Sequence, residues 1–285
     1  PDSAGHPDLD RLLARIRALP QSVQAMAYAG ASRLVDYQDA AYAGLYLDRV
    51  EALHGEDRAA GGAAKGFVFT KEAAKYLATA LAYDDVIRVA DLKTRASRFA
   101  RVRQEIGALD DQIVYQTEYM HPRMEEIAGA LPARLGAWLE RSPTLWRGLD
   151  RIVNRGRRVN TGTVRWFALL HLLGAAKAWR PKSLRHGREI AHVEAWLDKA
   201  RAALAGNYDL GCEALRCRRL IKGYSDTHAR GTSKFDRVMS ALPLLATTPD
   251  AAAWLSRLRR AALLDEDGAA LEGAIKTLES LRAPA

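Results

Sequence analysis

Apolar residues recur at three- and four-residue spacing along nearly the whole chain, and alternating apolar–polar runs are almost absent. That period is the α-helix's own. The expected fold is all-α, one irregular multi-helix domain over 1–285 with roughly ten or more helices. With 285 residues, 48% of them hydrophobic, there is material for a large core. Val35, Gln38, Tyr42, Leu45, Tyr46, Val50 and Leu53 keep one register and predict a long helix over 21–54. The small-residue stretch EDRAAGGAAKG (56–66) reads as a flexible loop, after which Thr70 caps the next helix. Another helix is expected over 83–106.

Pro122, Pro132 and Pro143 punctuate short helices from about 121 to 153, and RGRRVNTGT (155–163) reads as a basic connection. Helices are expected over 163–179, 184–205, 212–221, 233–245, 249–264 and 267–281. The most apolar run, WFALLHLLGAA (166–176), falls far short of the roughly 20 residues of a membrane span. It reads as a buried helix, and no membrane partner is expected. The chain begins at Pro1, which reads as a piece of a longer subunit, and its charged first segment carries no signal peptide. Two cysteines, Cys212 and Cys217, make neither a disulfide framework nor a metal-ligand set, which suits a reducing, cytoplasmic setting.

A net charge of +9 permits acidic partners, nucleic acid among them. No helix-turn-helix, zinc-finger or aromatic RNA-binding pattern accompanies it, so nucleic acid stays the alternative reading, as a stand-alone basic helical module. LIKGYSDTHARGTSKFDRVM (220–239) concentrates the polar chemistry. Ser225, Asp226 and His228 stand too close in sequence to converge as a catalytic triad, and GYSDT is not G-x-S-x-G. Gly231-Thr232-Ser233 reads as a helix start that Ser233 and Asp236 cap themselves, with an anion site as the competing reading.

Lys93 projects among Val86, Val89, Ala90 and Ala96, where an ammonium requires a carboxylate or must snorkel. Gln38 shares a register with Val35, Tyr42 and Leu45, so it too faces inward and needs partners. One polar network is therefore expected to join Tyr37, Gln38, Asp39, Asp85 and Lys93 to Lys222, Asp226, His228 and Arg230. Glu118, His121, Glu125 and Glu126 offer a possible metal pair at i,i+4, but a proline-started helix with acids in its first turn explains them without a metal. No metal site and no catalytic residue is assigned.

Four ordered stretches, RLVDYQDAAYAGLYLDRV (33–50), YDDVIRVADLKTRASRFARVR (83–103), TEYMHPRMEEI (117–127) and LIKGYSDTHARG (220–231), together resemble the C-terminal helical region of the long bacterial form of indolepyruvate ferredoxin oxidoreductase beta subunits. The resemblance runs from about residue 11 to residue 239. It implies an accessory, subunit-association role in an enzyme that oxidatively decarboxylates arylpyruvates to acyl-CoA and passes the electrons to ferredoxin or another acceptor. Partners would be the alpha subunit and the N-terminal gamma-type domain of the same enzyme, with CoA or another phosphorylated ligand as a further contact. Thiamine diphosphate, magnesium and iron–sulfur clusters would serve the complete enzyme and none would bind this piece, which lacks a GDG…N motif and closely spaced cysteines. Where the family pattern has glycine this chain has Ser225, which would be strained if that position required a positive φ.

Overall fold

Short polar side chains and prolines set where the helices begin. The structure is a computed structural model that describes residues 3–109, 111–223, 225–248, 250–264 and 267–280, with the side chain of residue 225 outside that description. Helix α1 (Pro7–Ala18) starts on a proline, with His6 accepting from the Asp8 N–H at 3.2 Å. Asp8 and Asp10 occupy its first turn and Arg15 and Arg17 its last, the order that suits the helix dipole.

The expected long helix over 21–54 is two, α2 (Gln21–Tyr37) and α3 (Ala40–Ala59). Asp39 accepts the Tyr42 N–H at 2.8 Å and starts a new helix, so a cap overrides an unbroken apolar period. The stretch 56–66 also departs from the expected flexible loop. It is the last turn of α3 followed by a 3-10 turn (Gly62–Lys65), because the Asp57 carboxylate faces inward and ties the end of α3 to later elements. Helix α4 (Val68–Leu81) places Thr70 inside its first turn, where it is buried and donates to Asp57 rather than capping.

Over 83–106 the chain again forms two helices, α5 (Val86–Thr94) and α6 (Ala96–Glu105), parted at Arg95 where the backbone extends (φ −71°, ψ 135°). Then come β1 (Thr117–Met120), α7 (Met124–Ala130), α8 (Ala133–Glu140), α9 (Pro143–Val153), β2 (Arg157–Asn160) and α10 (Val164–Ala175). A 3-10 turn (Ala176–Lys182) leads to α11 (Leu184–Gly206) and α12 (Tyr208–Arg216). Beyond a further 3-10 turn (Cys217–Leu220) lie α13 (Ser225–Met239), α14 (Leu242–Leu245), α15 (Ala251–Leu264) and α16 (Ala269–Ser280). Pro249 and Leu281, the expected limits of the last two helices, lie outside the described residues.

Among the described residues the protein is thus all-α apart from one two-stranded sheet. β1 and β2 pair antiparallel, Thr117 opposite Asn160 and Met120 opposite Arg157. β1 ends just before the expected proline-started helix, which begins at Met124 with Glu125 and Glu126 in its first turn, and β2 takes up half of the expected basic connection. Each is four residues long, and their pairing is non-local, which periodicity does not register.

The chain divides into two compact units, the first comprising Pro1–Tyr83 and Ala191–Ala285 and the second Asp84–Ile190. In the first, α2, α3 and α4 pack on one another, and the Tyr46 hydroxyl donates to the Ala74 carbonyl at 3.0 Å. Trp196 is buried with its indole N–H donating to the Ala214 carbonyl at 3.0 Å. The second unit holds two smaller cores. Ala90, Val159 and Leu170 gather with Met120 and Trp166, and Met124, Ala128 and Leu139 gather with Leu131, Trp146, Leu149 and Val153. Its main seam joins α5 to α10. Gly174 makes that seam close, since a Cβ there would stand 2.9 Å from the Asp91 Cα.

Candidate functional site

In the second unit, charged side chains fasten short elements that have little apolar surface to share. Lys93 on α5 donates to one oxygen of Glu118 on β1, and Arg98 on α6 donates to the other. Asp91 accepts from Arg95 at 2.5 Å and from Arg88 at 3.0 Å. Asp85 caps α5 by accepting the Arg88 N–H at 2.6 Å, while its second oxygen accepts from the buried Arg180 at 2.8 Å. The ammonium of Lys93 therefore has its carboxylate, and Glu118, weighed as a metal ligand from its sequence, instead bridges two cations. Among the described residues, no group of three or more His, Cys, Asp or Glu side chains gathers in a way that could hold a metal ion. Replacing Lys93 by methionine is expected to cost about 1.5–3 kcal/mol, the range for a hydrogen bond to a charged partner. A urea midpoint unchanged from wild type would show that the Lys93–Glu118 contact contributes nothing.

Gln38 and Asp39 belong to the first unit, at the α2–α3 break, with Gln38 buried. Lys222, Asp226, His228 and Arg230 belong to the same unit. Lys222, Asp226 and Arg230 are exposed and His228 is half-buried. Asp226, His228 and Arg230 lie in α13, which begins at Ser225 and runs on without interruption. The helix start expected at Gly231-Thr232-Ser233 is therefore helix interior, and its N–H groups are not displayed to an anion. Gly231 explains the difference, because a Cβ there would stand 2.6 Å from the Leu220 carbonyl oxygen. It is a glycine for close packing rather than for a turn. The positive φ of the segment falls on Gly223, at +72°, and Ser225 is helical. Tyr224 and the side chain of Ser225 lie outside the described residues.

The first unit also contains an open cleft of about 530 Å³, lined among others by Lys65, Tyr208, Cys212, Glu213 and Arg216. Its charges are matched within its own walls. Lys65 stands 4.5 Å from the Tyr208 ring centroid and 3.2 Å from an Asp209 oxygen. Glu213 accepts from Arg216 at 2.6 Å and from Arg259 at 2.9 Å, and Arg216 also reaches Glu72 at 3.0 Å. Burial pushes the Cys212 thiol up to about 12 and raises that of Cys217 as well. Both remain thiols at neutral pH, which does not suit a nucleophile.

Tyr208 also donates to the buried Asp57 at 2.8 Å, and Asp57 accepts the Thr70 N–H at 2.8 Å and the Thr70 hydroxyl at 2.6 Å. Sequence reasoning assigned none of Asp57, Tyr208 or Arg180 to a site. No local spacing links partners that lie 13, 151 and 95 positions apart.

The feature with the most evident outward chemistry is the surface of the second unit. α10 was expected to be buried. Leu170 and Gly174 do face inward, but Val164 is 86% exposed, Leu172 70% and Leu169 54%. Ile152 on α9 and Trp138 on α8 are also exposed. The same unit carries 20 Lys and Arg against 12 Asp and Glu, a net +8 of the chain's +9. Among the described residues no helix is long and apolar enough to cross a membrane.

A family model described as a family of unknown function, DUF6537, matches residues 23–241. No curated protein and no solved structure matches the chain.

Proposed function

We propose, on the premise that the chain belongs to the DUF6537 family of unknown function, that it is an association region of a 2-oxoacid oxidoreductase acting on arylpyruvates such as indolepyruvate. The observation that carries the association role is the apolar face of α10 left open in the second unit, where Val164, Leu169 and Leu172 are exposed on one side of the same helix. Contiguous apolar surface of this kind marks places where proteins meet. The identity of the enzyme rests on the four stretches that resemble beta subunits of that oxidoreductase. Their charged residues act here as scaffold: Asp39 caps α3, Asp85 holds Arg180, and Lys93 and Arg98 hold Glu118.

In this reading thiamine diphosphate, magnesium and the iron–sulfur clusters sit in other parts of a cytoplasmic enzyme. The residues present here do not fit a cluster, since the chain has two cysteines where a cluster takes four thiolates. The region orders neighbouring domains and the alpha subunit around a reaction carried out elsewhere. The concentrated positive charge gives nucleic-acid binding a claim as a second reading, but phosphates have no use for exposed leucines.

The test is to express the complete subunit together with its thiamine-dependent partner, with and without residues 1–285 of this chain. Loss of co-purification, and of indolepyruvate-dependent acceptor reduction, is expected on deletion. Full assembly and full turnover without the region would overturn the reading, as would a purified complex inert towards arylpyruvates.

A further inference from the structure

We infer that α10 and its basic margins form the docking face for an acidic protein surface that itself presents apolar side chains, with Leu172 at the centre of contact. This inference rests on the association reading above and specifies its seam.

The sequence of α10, VRWFALLHLLGA, is apolar apart from Arg165 and His171. A helix this apolar normally buries more than one side. Here α5, with Met120 and Val159 of the sheet and Phe99 of α6, covers one side and leaves the side of Leu172 open. At 3.6 residues per turn, Leu170 and Gly174 lie on the covered side and Leu172 near the middle of the open arc, flanked by Val164, Leu169 and Leu173. Half of the helix thus lacks the cover that its composition requires.

Charge identifies the chemistry of the missing cover. Arg157 and Arg158, both exposed, precede α10, Arg165 stands in its first turn, and Lys177 and Lys182, both exposed, follow it. An apolar centre with an arginine-rich margin is the anatomy of a protein–protein interface. The complementary surface is one with apolar side chains inside a ring of carboxylates. A lipid surface fits less well, because Arg165 and His171 both lie on the exposed side of α10 and would be drawn towards hydrocarbon with the leucines. A polyanion such as DNA would answer the arginines and leave the leucines uncovered.

The experiment uses the full subunit co-expressed with its thiamine-dependent partner. Benzoylphenylalanine is placed at position 172 for photo-crosslinking, and Leu172→Glu and Arg165→Glu variants are prepared alongside. Because both residues are exposed, the variants are expected to keep the wild-type circular dichroism spectrum and melting curve. Leu172→Glu is expected to weaken assembly by about tenfold or more, Arg165→Glu to weaken it less, and the crosslink to land in a partner segment where acids outnumber bases. Assembly of Leu172→Glu at wild-type strength would overturn the inference and leave the association reading standing. A crosslink to a second copy of the chain would also overturn it. So would Leu172-dependent binding to phosphatidylserine vesicles or to a 20-base-pair duplex in place of the partner. If the unaltered subunit does not assemble at all, the association reading itself falls.

Discussion

An Asp85→Ala variant is expected to lose about 3–5 kcal/mol of stability, the cost of breaking a buried ion pair from one side. Arg180 is 2% exposed and Asp85 10%, so the guanidinium left behind would have little access to water. The same substitution removes the cap of α5, because the other Asp85 oxygen accepts the Arg88 N–H. Loss of a cap adds about 1 kcal/mol. Asp85→Asn retains a capping oxygen and should fall between wild type and alanine. Joint replacement of Asp85 by alanine and Arg180 by methionine should recover much of the loss, since the buried guanidinium is then removed together with its carboxylate. Urea unfolding followed by tryptophan fluorescence reads all three variants. A loss below about 1 kcal/mol for Asp85→Ala would mean that Arg180 finds another acceptor or that water reaches it.

Asp57→Ala is expected to be comparably severe, about 3–5 kcal/mol, for a different reason. Its carboxylate satisfies three donors, the Thr70 N–H, the Thr70 hydroxyl and the Tyr208 hydroxyl. Alanine offers none of them an acceptor, and each unsatisfied buried donor costs about 1–3 kcal/mol. Tyr208→Phe removes one donor and leaves Asp57 with two, so it should cost much less. Hydrogen exchange at the Thr70 amide locates the effect. That amide should lose protection in Asp57→Ala and keep it in Tyr208→Phe. Equal protection in both variants would show that Asp57 does not hold the end of α3.

The sequence makes the helices legible, but often not their breaks. The short helices α7, α8 and α9 follow from three prolines, because those signals act within a few residues. The breaks at Gln38 and Arg95 were hidden. At Gln38 the apolar period continues unbroken across a residue whose neighbour caps the next helix, and at Arg95 the change lies in the backbone alone. The sheet was hidden because RRVN has no alternation and gains its partner 40 positions away. At the site level, the need of Lys93 for a carboxylate was readable from its apolar neighbours. That the carboxylate would be Glu118 was not, since pairing across 25 positions is a property of the fold. The open side of α10 escaped for a related reason. A run as apolar as this one announces that it will be covered, but not by which molecule.

The uneven charge also bears on time. With +8 carried by the second unit and the remainder of the chain near neutrality, an acidic partner of the kind proposed would be turned towards one part of the molecule before contact. The rate of encounter should fall steeply as salt is added, because screening shortens the reach of those arginines. The lifetime of the complex should depend far less on salt, being governed by how long the leucines of α10 stay covered. Speed of capture and duration of hold would then be set by different residues, and selection could adjust one without disturbing the other.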